Sequence, residues 1–141
     1  MPSRLFAYGT LRQGVAPAEI AHAVATLRRA GRGVARGRLF DLGAYPGAVF
    51  AAAGAVAEAT EGCGQIAGEV YEVTDPGIWG ELDRYEGFEP SDPAASLFTR
   101  RQIEVTLSDG GERASCWAYE YNQPVDFALQ PAAENALEQK T

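Results

Sequence analysis

An α+β domain built on a strongly curved, mostly antiparallel sheet is the fold class this sequence predicts. Two observations lead there: several stretches alternate polar and apolar residues at period 2, and two short segments carry an amphipathic helical stripe. A third is the lack of the regular strand–helix repeat that a doubly wound fold requires. At 141 residues with 46% apolar and 10% aromatic residues, the chain suits one globular domain with a real core.

The first strand is expected over Arg4–Tyr8 (RLFAY), closed by Gly9, with Gly14 in the loop and Pro17 as a first-turn helix residue. The following helix is expected from Ala18 to about Ala30, with Ile20, Val24 and Leu27 on one stripe and Gly31 as its stop. From Gly31 to Leu42 small residues alternate with Arg32, Val34, Arg36 and Arg38, which sends three arginines to one face of a strand. A turn at 44–47 follows, and GAVF resumes a strand. Gln65–Val73 alternates again. Thr74 and Asp75 before Pro76 read as an N-cap and first-turn proline, and Ile78, Leu82 and Tyr85 form the stripe of a second helix that Gly87 ends. Residues 88–97, with two prolines, read as an excursion. Thr99–Leu107 and Glu112–Tyr121 flank Ser108-Asp109-Gly110-Gly111 as a hairpin. The domain is therefore placed at residues 1–122, and 123–141 read as a weakly helical tail.

Composition removes several classes of function. The net charge is −7, yet seven of the 12 basic residues, all arginine, fall in the first 40 positions. Overall acidity argues against a dedicated nucleic-acid binder, and no aromatic platform interleaves the arginines before Phe40, so they read as a solvated face. One histidine, His22, and two cysteines, Cys63 and Cys116, cannot assemble a structural zinc site. Both cysteines are expected reduced and buried, and His22 as a surface or satisfied core residue. No apolar run suits a membrane span or a signal peptide, so the expected compartment is the cytoplasm.

Chemistry must then rest on carboxylates, hydroxyls, arginines and backbone groups. The loop Tyr8–Gly14 lies between a strand and a helix, where free N–H groups can cradle an anion, although a plain tight turn fits the same residues. Glu86 borders the buried stripe in the last turn of its helix, where both burial and the helix dipole raise a carboxyl pKa, as a general base needs. Glu81 on the other flank is not separated from it by periodicity. Arg100 and Arg101 point to opposite faces of their strand, so that one can turn inward to fix an acid or a ligand carboxylate, or both can be solvated.

Six segments in order, LFAYGTL, GRLFDLGAYPGAV, GEVYEV, ELDRYEGF, FTRRQIEV and CWAYEYN, resemble the gamma-glutamylcyclotransferase-like family. The resemblance spans about residues 4–122 and is strongest to the gamma-glutamylamine cyclotransferase branch and its bacterial relatives. It implies a small barrel-like mixed sheet with two helices, and a loop, here Tyr8, Gly9, Thr10 and Leu11, that binds the gamma-glutamyl group. The family's glutamate in LDxxEG matches Glu86, an aromatic near the end of the last strand matches Tyr119, and Arg100 is carried over as a substrate contact. Phe98 stands where relatives commonly have tyrosine, so a hydroxyl is missing.

The implied reaction is attack of a gamma-glutamyl compound's α-amine on its own side-chain amide, releasing 5-oxoproline and a free amine, with Glu86 as base and then acid. It implies no cofactor and no metal and a small-molecule partner, without nucleic acid or membrane; the sequence does not read out the oligomeric state, and a monomer is favoured. The alternative is a non-catalytic ligand-binding domain of the same fold.

Overall fold

The computed structural model describes residues 3–9, 11–41, 46–50 and 64–122. Six strands and two helices follow one another as β1 (Ser3–Ala7), α1 (Ala18–Ala25), β2 (Arg28–Asp41), β3 (Pro46–Phe50), β4 (Gly64–Val73), α2 (Ile78–Glu86), β5 (Phe98–Leu107) and β6 (Arg113–Tyr121), with a 3-10 turn at Pro93–Ala95. Strand order is β3-β2-β4-β1-β6-β5, and β2 also pairs with β5, so five strands close into a barrel and β3 extends from β2. All neighbours are antiparallel except β1 and β6, which run parallel with Leu5 opposite Trp117. The α+β class and the curved, mostly antiparallel sheet expected from the alternation are thus what the chain adopts.

Period-2 geometry divides the core in two. Phe6, Ile66, Val70, Ile103, Val105 and Cys116 pack together with Ala35, Ala114 and Ala118 as one cluster, contributed by all five barrel strands. Leu5, Ala7, Tyr71, Val73 and Tyr119 point the other way and meet Ile20, Ala23 and Val24 of α1 and Ile78 and Leu82 of α2. The two helices therefore lie against one outer side of the barrel. Closure at the β2–β5 seam depends on Gly33, where a Cβ would lie 2.6 Å from Val105 and 3.3 Å from the Thr106 carbonyl.

Two element boundaries differ from the sequence expectation. The first helix ends at Ala25, not near Ala30, because Arg28 and Arg29 pair with Glu72 and Tyr71 of β4. Gly31 (φ 148°) is not a helix stop: it sits at a register shift between Arg29 and Gly31, a bulge that a residue free of Cβ accommodates. The second helix starts at Ile78, two residues later than the proline signal implied. Asp75 instead caps the preceding turn, its Oδ1 accepting the Gly77 N–H (3.0 Å) and its carbonyl the Ile78 N–H (3.1 Å).

Cys116 is a free, buried thiol, which burial pushes up to about 11. The arginine face of β2 is partly neutralised by β4: Arg28 lies 3.8 Å from Glu72 and Arg29 3.4 Å from Glu69. No helix among the described residues is long and apolar enough to cross a membrane. The expectations for Cys63, for Ala44 and Tyr45 of the turn and for the 123–141 tail fall outside the described residues.

Candidate active site

Where β1 ends, the chain turns sharply and is tied down from three sides. Arg12, itself buried, donates through Nε to the Gly9 carbonyl (3.0 Å), and its backbone N–H meets the same oxygen (3.2 Å). Gln13 donates its N–H to the Tyr71 hydroxyl (2.8 Å), and that hydroxyl donates to Glu69. The Gln13 side-chain amide donates to the carbonyls of Val24 (3.3 Å), in the last turn of α1, and Leu27 (2.8 Å), just past its end. Sequence reasoning singled out Tyr8–Gly14 as a possible cradle but missed these anchors, because their partners lie up to 58 residues away.

Helix α2 delivers Glu86 to the same end of the barrel. Gly87 (φ 76°) closes the helix in a left-handed cap, with the Phe88 N–H on the Asp83 carbonyl (2.8 Å) and the Gly87 N–H on that of Arg84 (3.2 Å). This stop leaves Glu86 as the last helical residue, half-buried at the edge of the apolar stripe. Burial pushes its carboxyl up to about 7. Glu81, which periodicity could not separate from Glu86, is paired with His22, whose Nε2 lies 2.8 Å from its Oε1, both side chains well exposed.

A cavity of about 670 Å3 opens between the loop, the helices and the barrel rim. That volume suits a small metabolite. Tyr8, Gly9, Leu11, Glu86 and Tyr119 all line it, with Phe6, Ala7, Ile20 and Phe98 as apolar wall and Glu19, His22, Glu81 and Arg84 from the helices. Five of the residues carried over from the resemblance thus share one cavity. Thr10 lies outside the described residues.

Arg100 is placed differently from the expected substrate contact. It is not among the cavity's lining residues; its guanidinium forks onto Asp83, with Nε to Oδ1 at 2.9 Å and a terminal nitrogen to Oδ2 at 3.2 Å. Trp79 and Trp117 stack around it at 4.5 and 5.2 Å from their ring centres. The acid fixed by the inward arginine is therefore Asp83, which the sequence reading had not singled out. Tyr119 donates its hydroxyl to the same carboxylate (2.6 Å to Oδ1). The Tyr8 hydroxyl is also engaged, donating to the Tyr119 carbonyl (2.6 Å) and accepting the Ala48 N–H (3.2 Å). Burial raises both phenols above their ordinary pKa, with the Glu86 charge adding to each. Arg101, on the opposite face, pairs with Glu120 (2.9 Å), which also accepts the Phe50 N–H (2.7 Å).

A half-buried carboxylate and two buried tyrosines line one small-molecule cavity at the rim of a closed mixed barrel, on a small α+β fold. The family model described as gamma-glutamyl cyclotransferase, AIG2-like matches residues 5–139, and the chain belongs to that family. Among solved structures it is similar to YkqA of Bacillus subtilis, at 27% identity and a TM-score of 0.61 over 86% of this chain. The chain spans only 36% of that protein's length. An AIG2-like protein of Mus musculus shares the fold at 19% identity, with a TM-score of 0.66 over 93% of this chain and 86% of the other. A Pyrococcus horikoshii protein does so at 17% identity and a TM-score of 0.57, covering 98% and 94%. No curated protein matches the chain.

Proposed function

We propose that the protein is a gamma-glutamyl cyclotransferase acting on a gamma-glutamyl amine or related amide. The observation that carries this reading is Glu86: a carboxyl pushed up to about 7 by burial, lining the same cavity as the Tyr8–Leu11 loop. A base poised near neutrality is what proton transfer from an ammonium demands. The α-ammonium of the substrate gives a proton to Glu86, and the freed amine attacks the γ-carbonyl carbon. A new N–C bond closes the five-membered ring, Glu86 passes its proton to the departing nitrogen as the original amide C–N bond breaks, and it then takes the second proton from the ring nitrogen and gives it up to the released amine, which leaves as an ammonium. Atoms balance as substrate to 5-oxoproline plus free amine, without water.

Because nucleophile and electrophile belong to one molecule, holding the reactive conformer is the larger task. The N–H groups of Arg12, Gln13 and Val15 already serve bonds within the protein, and this reading assigns the glutamyl carboxylate or the developing oxyanion to the earlier part of the loop, where Gly9 and Leu11 line the cavity. The part of the cavity wall formed by Phe98 offers no hydroxyl to a substrate. The reading includes a monomeric protein acting in the cytoplasm on a small molecule.

The experiment is incubation with gamma-glutamyl amines, gamma-glutamyl amino acids and glutathione, with 5-oxoproline read by mass spectrometry. Glu86→Gln is expected to keep the fold and lower turnover ~10²-fold or more. Activity of the wild type on a confirmed substrate is expected to fall below about pH 7, where Glu86 takes up its proton. Ligand binding without release of 5-oxoproline would assign a binding domain instead.

A further inference from the structure

The Tyr119 hydroxyl has one proton, and its destination decides what the oxygen can do inside the cavity. That proton goes to Asp83 Oδ1 at 2.6 Å. The direction is fixed by chemistry: Arg100 donates to both oxygens of Asp83, at 2.9 and 3.2 Å, so the carboxylate can only accept from Tyr119. Asp83 is 5% exposed and Tyr119 3%, so water does not compete for either group. Arg100 is itself held between Trp79 and Trp117, at 4.5 and 5.2 Å. Tyr119 lines the cavity, and with its one hydroxyl proton committed to Asp83 its phenol oxygen can only accept from a ligand that reaches it.

We propose that Asp83, clamped by Arg100, is a positioning residue that makes Tyr119 an obligate hydrogen-bond acceptor, so that its oxygen receives an N–H of the substrate α-ammonium beside Glu86. The inference rests on the cyclotransferase reading and adds to it the group that recognises the attacking nitrogen. Asp83 and Glu86 are three residues apart on α2, so the clamp that orients Tyr119 also fixes the helical turn that carries the base. An oxygen able only to accept favours an ammonium or amine over a ligand without one. It also bars Tyr119 from acting as an acid toward the leaving group.

The test compares binding of a gamma-glutamyl amide with binding of the matching glutaryl amide, which has the same skeleton without the α-amine. Titration calorimetry is done in the Glu86→Gln background, where turnover is blocked. The amine-bearing ligand is expected to bind ~10-fold or more tightly, as a charge-assisted hydrogen bond provides. Adding Tyr119→Phe is expected to shrink that gap to about twofold while the glutaryl affinity stays put, and Asp83→Asn to shrink it in the same way with no further loss in the double variant. Arg100→Lys, which keeps the charge but cannot fork onto both oxygens, is the second variant should Asp83→Asn fail to fold, and it is expected to narrow the gap as well. No gap in the starting protein, a gap that survives Tyr119→Phe or survives the loosened clamp, or equal weakening of both ligands overturns the proposal. Wild-type release of 5-oxoproline is measured separately: a gap without release discards the chemistry and leaves the amine-recognition assignment standing.

Discussion

Glu86 and Asp83 show how two carboxylates one turn apart acquire opposite characters. Asp83 is neutralised by a forked arginine and a phenol, whereas burial alone drives Glu86 upward. The raised value has a consequence for stability. Between the ordinary carboxyl range near 4.5 and about 7, the unfolded chain loses its Glu86 proton while the native protein keeps it, so this group's contribution to stability falls as pH rises through that window and is fully lost above it. Glu86→Gln removes the ionisation, and the variant is expected to be more stable than wild type by roughly 1–3 kcal/mol at pH 8 and nearly equal to it at pH 4. Denaturant melts at the two pH values check this; equal differences at both would mean that Glu86 is not destabilised by ionisation. The stripe Ile78, Leu82, Tyr85 already placed Glu86 beside the core in the sequence. It did not separate Glu86 from Glu81, since that distinction rests on a tertiary partner, His22.

At the level of elements, local signals were legible where they concerned a single turn and failed where a strand from elsewhere intervened. The hairpin at Ser108–Gly111 and the stop at Gly87 follow from residue type alone: Gly110, Gly111 and Gly87 all adopt positive φ. The stretch Leu27-Arg28-Arg29-Ala30 past Ala25 favours helix by residue type, yet the ladder with β4 takes over from Arg28 because cross-strand pairing outweighs a few tenths of a kcal/mol per residue of helix propensity. Gly87→Ala is expected to cost about 1 kcal/mol for the left-handed conformation, with its Cβ 3.3 Å from that of Leu97. It should also lower turnover, because the cap places Glu86. Gly68→Ala is expected to be harsher, about 1–3 kcal/mol or more, since its Cβ would lie 2.6 Å from the Phe6 ring and 2.7 Å from the Ala7 carbonyl. Thermal melts of both variants, with Gly80→Ala, which meets nothing within 4 Å, as control, rank these costs.

Across the whole molecule, five of the seven arginines gathered early in the chain belong to β2, whose neighbour β4 supplies Glu69 and Glu72. Binding to a mixed oligonucleotide pool is expected to be absent at physiological salt, and a steep salt-dependent affinity would show that this face does engage phosphates. The curvature of the sheet was legible from the number of short alternating segments packed into one domain. The closing pair β2–β5 and the parallel pair β1–β6 were not, because both join strands far apart in sequence and neither leaves a mark in local periodicity.

That parallel pair has a consequence that is a matter of parity. Neighbours around a closed ring can alternate in direction only if their number is even, and five strands are odd, so one pair must run the same way. In this barrel the unavoidable exception falls between β1 and β6. Two strands with a common heading finish at a common end, and here Tyr8, the residue after β1, and Tyr119, two residues before the end of β6, are joined through the Tyr8 hydroxyl. An arrangement with an even count could have paired the same two segments head to tail and carried one of the two rings to the opposite rim. The odd count brings both to the mouth where Glu86 arrives.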